Sequence, residues 1–338
     1  MKKGSIYIQI LVVVLLVFLF DFLWAPKADA SLLIGLLFWA AVAQGIIALS
    51  AASDLAQAKW TQEIKPYVFQ YYPLLLLFPL LFLIFSRHVT VYGWMEHPDR
   101  WLNPMFFIIR NTIALFMPFL MAHFYVRSVQ KESQRQGLFA VLFILFFVIS
   151  QSFLAFDVVM TFEYPWVNTL FGGFFFVEAL YAGIAFCALL AGFLARKSAL
   201  RFLKSFNDYT LMIIGFALFW AGLFYSQYLV IWYGNIPEEV AYITKRIHIP
   251  IVEKMGIYIL FALFVIPFIL LVSRKVKGSF PAVAAIALLV FSGLIVERLI
   301  YIVPVAHTNL LGVVVPLVLI GVPFGVLLRS QVNAAGEK

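Results

Sequence analysis

Ten stretches of roughly twenty apolar residues follow one another along this chain with only short polar breaks, and few folds can accept that pattern. A bilayer's hydrocarbon core is about 30 Å thick, which a helix of about 20 apolar residues crosses. Backbone amides in lipid have no water to bond, so they must be satisfied inside helices or a closed barrel. The runs are continuous, not alternating, and that selects helices. The chain therefore reads as an all-α integral membrane protein with spans near 5–24, 31–52, 67–86, 105–126, 137–159, 170–195, 209–233, 251–273, 280–303 and 310–328. Only 12% of its 338 residues are charged, about half the share usual in a soluble domain. The longest polar break, 234–250, is too short for a separate folded module, so 1–338 is read as one polytopic domain.

The first span opens with Met-Lys-Lys and is followed by Ala28-Asp29-Ala30 before Ser31, which has the look of a cleavable leader. Its apolar run is longer than a usual leader core, so a retained helix is expected.

Loop charge sets the expected orientation. The N-terminal side carries Lys2, Lys3, Lys59, Lys65, Arg127, Lys131, Arg135, Arg196, Lys197, Arg201, Lys204, Arg274, Lys275, Lys277, Arg329 and Lys338, which is sixteen; the other side carries Lys27, Arg87, Arg100, Lys245 and Arg246, which is five. That bias predicts both termini in the cytoplasm. The net charge of +8 is then a topology signal, and no nucleic-acid partner is expected.

Residue types that are scarce narrow the chemistry. One cysteine, Cys187, is too few for an iron–sulfur cluster. A membrane b-haem needs two facing histidines, yet of His88, His97, His123, His248 and His307 only His123 lies well within a span. There is no Walker loop, no Gly-x-Gly-x-x-Gly and no Cys-x-x-Cys-His, and neither a catalytic residue nor a metal site is predicted.

Ionisable groups inside spans cost at least about 2.5 kcal/mol each, so they form the functional shortlist. Asp21, Arg110, Asp157, Glu178, Gln227, Glu253, Glu297 and Arg298 fall toward the acidic, aromatic side, and His123, Arg127 and Asp208 toward the basic side. Glu178 lies about 8 residues, or roughly 12 Å, below its helix start, and reads either as a proton carrier or as a carboxyl hydrogen-bonded between helices. Asp157 and Glu297 reach a similar depth and would extend it into a relay. Glu297 and Arg298 point about 100° apart, so each is expected to find its own partner on another helix. Asp208 with His123 would supply the other end of a proton route.

Two loops on the less basic side hold most of the remaining information. One runs Phe156-Asp157-Val158-Val159-Met160-Thr161-Phe162-Glu163-Tyr164-Pro165-Trp166-Val167-Asn168-Thr169, continuing to Gly172 and Phe174–Phe176. The other contains Phe219-Trp220, Ser226-Gln227-Tyr228, Ile231-Trp232-Tyr233 and Asn235-Ile236-Pro237-Glu238-Glu239. These stretches resemble the NrfD-like (polysulfide reductase membrane subunit) family, and within it the ActF subunit of alternative complex III, a quinol:cytochrome c oxidoreductase. Val158 stands where that family usually has Trp, Tyr164-Pro165 replaces Pro-His, and the chain is shorter than typical members.

The resemblance implies two four-helix bundles, spans two to five and six to nine, with the first and last helices outside. It implies a subunit without a redox centre of its own, served by a sister NrfD-like membrane subunit, an iron–sulfur subunit and multihaem cytochromes c. In that family quinol oxidation is usually assigned to the sister subunit, so this chain would contribute mainly a proton path, along Asp157, Glu178, Asp208, His123 and Glu297; a quinone or quinol site of its own would lie at Gln227, Asp157 and Trp232. Glu163, Trp166, Glu238 and Glu239 would dock partners. A proton-coupled secondary transporter and a structural anchor for cytochromes are the competing expectations.

Overall fold

The computed structural model describes residues 3–197 and 201–336; Lys2 and Lys338, both counted for orientation, lie outside the described residues. Among the described residues there are helices and no strand. Ten helices are long and apolar enough to cross a membrane. They are α1 (Lys3–Trp24), α2 (Ser31–Leu55), α3 (Lys65–Val91), α4 (Pro104–Gln130), α5 (Gln136–Glu163), α6 (Phe171–Lys197) and α7 (Leu203–Gly234), then α9 (Pro250–Val272), α10 (Phe280–Ile302) and α11 (Leu310–Gly336). Each expected span is present, several extended by a turn or two, as in α4 and α11, where polar residues continue the helix into the interface.

The break at 234–250 is not a plain loop. Asn235 takes the left-handed conformation (φ 47°) that ends α7, its N–H bonded to Ile231 O at 3.1 Å. Pro237 then starts a short amphipathic helix, α8 (Pro237–Ile247), with Glu238 and Glu239 in its first turn and Lys245 and Arg246 in its last. Acid at the start and base at the end both oppose the helix dipole.

The packing gives two four-helix bundles, α2–α5 and α6 with α7, α9 and α10. The middle of the molecule is the contact between α2 and α6, 94% and 89% buried along their spans, against 28% for α1. Small residues make that contact possible: a Cβ on Gly45 would stand 1.9 Å from Ala179 O, and one on Gly183 would stand 2.4 Å from Gly45 C. The first helix lies outside on α3 and α11, and α11 packs across α2 and α6. Asp21 of α1 is buried, bonded to His88 Nε2 and Arg87 Nη1, each at 2.9 Å. His88 Nδ1 accepts the Asp29 N–H at 3.3 Å, so Nε2 is the nitrogen that donates to Asp21.

Two π-turns interrupt the helices, Leu154–Val159 in α5 and Phe261–Val265 in α9. Such turns displace carbonyls from the ordinary ladder. A buried tyrosine fills the need in each case: Tyr92 OH donates to Val158 O at 2.8 Å and Tyr181 OH to Leu263 O at 3.0 Å.

Candidate functional site

The deepest charges sit in the second bundle. Glu178 of α6 is fully buried and ion-paired with Arg298 of α10, itself 1% exposed. Tyr301 OH donates to Glu178 Oε1 at 3.3 Å, and Arg298 stacks over the Phe175 ring, 4.3 Å from its centroid. Glu297 points to a different neighbour, as the angular offset required: its Oε1 accepts the Trp220 indole N–H of α7 at 3.2 Å. Glu297 also lies in side-chain contact with Glu178. Two carboxyls in contact thus lie near one guanidinium, which is ion-paired with Glu178, away from water.

That cluster borders a cavity of about 530 Å³ where α7 and α9 separate, beneath α8. On the basic half of the membrane the two helices pack through Ile266–Val272, and they part above it. The wall is mostly apolar and aromatic, with Phe174, Phe224, Tyr228 and Ile259; Gln227, Glu253, Arg246, Glu297 and Tyr301 supply its polar groups. The Gln227 amide nitrogen is buried and has no hydrogen-bond partner among the described residues. The volume falls within the 300–1,000 Å³ typical of small-molecule sites.

The roof, α8, is held by the residues expected to dock partners. Trp166 stacks on Tyr242 with centroids 4.0 Å apart and planes 8° from parallel. Glu163 accepts from Arg246 Nη1 at 2.9 Å and pairs with Lys245 at 3.4 Å. Arg246 also donates to the carbonyls of Ile300 and Tyr301, at 3.2 and 3.3 Å, and lies over the Tyr242 ring at 3.6 Å. Burial pushes the Tyr242 phenol up to about 12, with the Arg246 charge pulling the other way. Glu163 and Trp166 are therefore committed to the chain's own rim helix. Glu238 is exposed and Glu239 half-buried on the first turn of α8.

Asp157 belongs elsewhere. It sits on the α5 π-turn in the first bundle, ion-paired with Arg110 and accepting from Trp101 Nε1 at 3.2 Å and Asn111 Nδ2 at 3.3 Å. Arg110 in turn lies over the Trp101 ring at 4.4 Å. None of these partners belongs to the Glu178 cluster, and Asp157 does not line the cavity. Trp232, also expected at the quinone, is 62% exposed on the outer surface of α7, where an amphipathic indole suits the membrane interface.

His123 and Asp208 do not form one route. His123 of α4 accepts from or donates to Tyr72 OH at 3.3 Å and lines a cavity in the first bundle. Asp208 of α7 lines a shallow depression with Lys59, Trp60 and Lys204, in the second. Sequence reasoning missed Tyr242, Arg246 and Tyr301; the Tyr242/Arg246 spacing of four, in a segment running from Pro-Glu-Glu to Lys-Arg, was the available signal. No protein-family model matches the chain, and no curated protein matches it either.

Proposed function

We propose that this chain is a membrane subunit of a quinol:cytochrome c oxidoreductase of the alternative complex III type, an NrfD-like protein, with the second-bundle cavity as its quinol site. One observation carries the reading: the two family-like motifs converge on a single apolar cavity whose wall includes a buried carboxyl. Trp220 and Gln227 come from one motif, and Glu163 and Trp166 of the other hold its roof. An aromatic ring bearing two oxygens suits such a wall, one oxygen accepting from the Gln227 amide and the other facing Glu297.

Quinol oxidation releases protons as well as electrons. Glu297 would take one proton, shared with Glu178 in contact with it, and Glu253, on the same cavity wall, would take the other. Arg298 holds the pair at a net charge of zero with one proton and minus one without, so the cluster alternates between two states without leaving two lone charges in the apolar interior. The loop-charge bias supports a periplasmic position for the cavity, and the family resemblance supports a bacterial inner membrane for the chain. Electrons then pass to iron–sulfur and multihaem cytochrome c subunits, and a sister membrane subunit completes the assembly.

Isolation from native membranes in mild detergent tests this. Haem c and iron–sulfur proteins are expected to co-purify, and quinol-driven cytochrome c reduction is expected to fall about 100-fold in Glu178→Gln/Glu297→Gln, or about 2.7 kcal/mol of lost transition-state stabilisation. A lone haem-free homo-oligomer, or a double variant with unchanged turnover, overturns the proposal.

A further inference from the structure

A second cavity, of about 550 Å³, opens at the basic end of the molecule among α1, α3, α4 and α11. Its chemistry differs from the first: no carboxylate lines it. The polar groups are Arg127, His123, Tyr7, Tyr72, Gln70 and Gln130, all able to donate hydrogen bonds, over a floor that includes Phe69, Pro73 and Leu327. Tyr7 and Tyr72 are hydrogen-bonded and Tyr72 reaches His123 Nδ1 at 3.3 Å, so three side chains form one string. Arg127, one turn beyond His123, is exposed and makes no ion pair among the described residues.

A stripe of partly exposed residues continues from this cavity along α3. Between residues 71 and 85 the positions not fully buried are Tyr72, Leu76, Leu80 and Leu83, about one per turn. The stripe ends at Arg87, whose guanidinium lies over Phe18 and Phe22 of α1 at 5.8 and 5.0 Å. Helices α1 and α4 both pack on α3.

We infer that this site binds an anionic phospholipid, its phosphate on Arg127 and the Tyr7–Tyr72–His123 string and one acyl chain along Leu76, Leu80 and Leu83. Guanidinium with several neutral donors and no nearby carboxylate is the donor set that a phosphodiester requires. The leaflet at the basic face is where anionic lipid is drawn by basic side chains, at about 1 kcal/mol each. An acyl chain matches an apolar stripe that runs from Tyr72 to Leu83, roughly one leaflet long; a soluble anion has no use for it. The inference stands apart from the quinol reading.

Native mass spectrometry of the purified full chain, or of the complex that carries it, tests this with added dioleoyl-phosphatidylglycerol, dioleoyl-phosphatidylcholine or inorganic phosphate. One phosphatidylglycerol is expected to survive activation that strips phosphatidylcholine. Retention is expected to drop about tenfold in Arg127→Gln and in Leu80→Trp, which reshapes the apolar stripe but keeps the charge, and to stay unchanged in Arg329→Gln. Because the two variants act at opposite ends of the ligand, loss of folding in one leaves the other as the test. Equal retention of phosphatidylcholine, unchanged retention in a folded Arg127→Gln, protection by inorganic phosphate equal to that by lipid, or another protein chain in the lipid's place overturns it.

Discussion

Each bundle buries acid beside arginine, yet the two do it to different ends. In the first bundle, Asp157 has one guanidinium to itself, plus an indole and an amide donor, and does not line the second-bundle cavity. In the second, Glu178 and Glu297 lie in contact near Arg298, and Glu297 borders open volume. A saturated carboxylate with a cation of its own is a fixed internal tie. Two carboxyls competing for one cation form a group whose charge can change with a proton. Burial depth alone does not separate the cases, since Asp157, Glu178 and Glu297 are all at most 5% exposed; the ratio of acid to base does.

The contrast can be broken at either end. The largest effect is expected from Arg110→Ala, which strands Asp157 as an unpaired buried charge and should cost about 3–5 kcal/mol of stability. Melting in detergent checks it, and a loss below about 1 kcal/mol would mean that Asp157 is not a structural tie. Next comes the double Glu178→Gln/Glu297→Gln, with its roughly 100-fold loss of quinol turnover. Asp157→Asn, in an equally folded sample, should lose far less, and equal losses from the two would erase the distinction. Smaller again is Gln227→Leu, expected to raise the quinol KM about tenfold by removing one hydrogen bond to an oxygen, about 1.4 kcal/mol, with the melting temperature held. The smallest concerns the roof. Tyr242 ionises near 10 in an unfolded chain and at about 12 when buried, so the folded state holds the extra proton and stability declines as pH rises through 10 to 12. Tyr242→Phe should flatten that part of the pH–melting curve; an unaltered slope would place the alkaline sensitivity elsewhere.

Much of this architecture was legible in advance because lipid makes hydropathy nearly sufficient for counting helices. The depth of Glu178 and the separate partners of Glu297 and Arg298 followed from helix rise and angular offset. Which helices face each other did not follow. That depends on small-residue stripes such as those of α2 and α6, and apolar runs look alike from all sides. Asp157 was grouped with Glu178 for this reason, although α4 and the loop before it supply its partners. Helix α8 was read as a polar break because its eleven residues are too few and too mixed for a span. Glu163 and Trp166 looked free for the same reason: the Arg246 and Tyr242 that occupy them belong to that unseen helix.

The seam between the bundles restricts how this protein can move. At Gly45 and Gly183 two backbones touch with no layer of side chains between them. Sliding α2 past α6 by one turn, about 5.4 Å, would bring Ala41 or Leu49 into the place of Gly45, where even a methyl group has no room. Rigid-body shear of one half against the other is therefore blocked at its midpoint. What remains mobile is light: side chains, the rim helix, and protons. A chain with that mechanics is suited to holding two sets of groups at a constant separation, and poorly suited to opening alternately toward one side of the membrane and then the other.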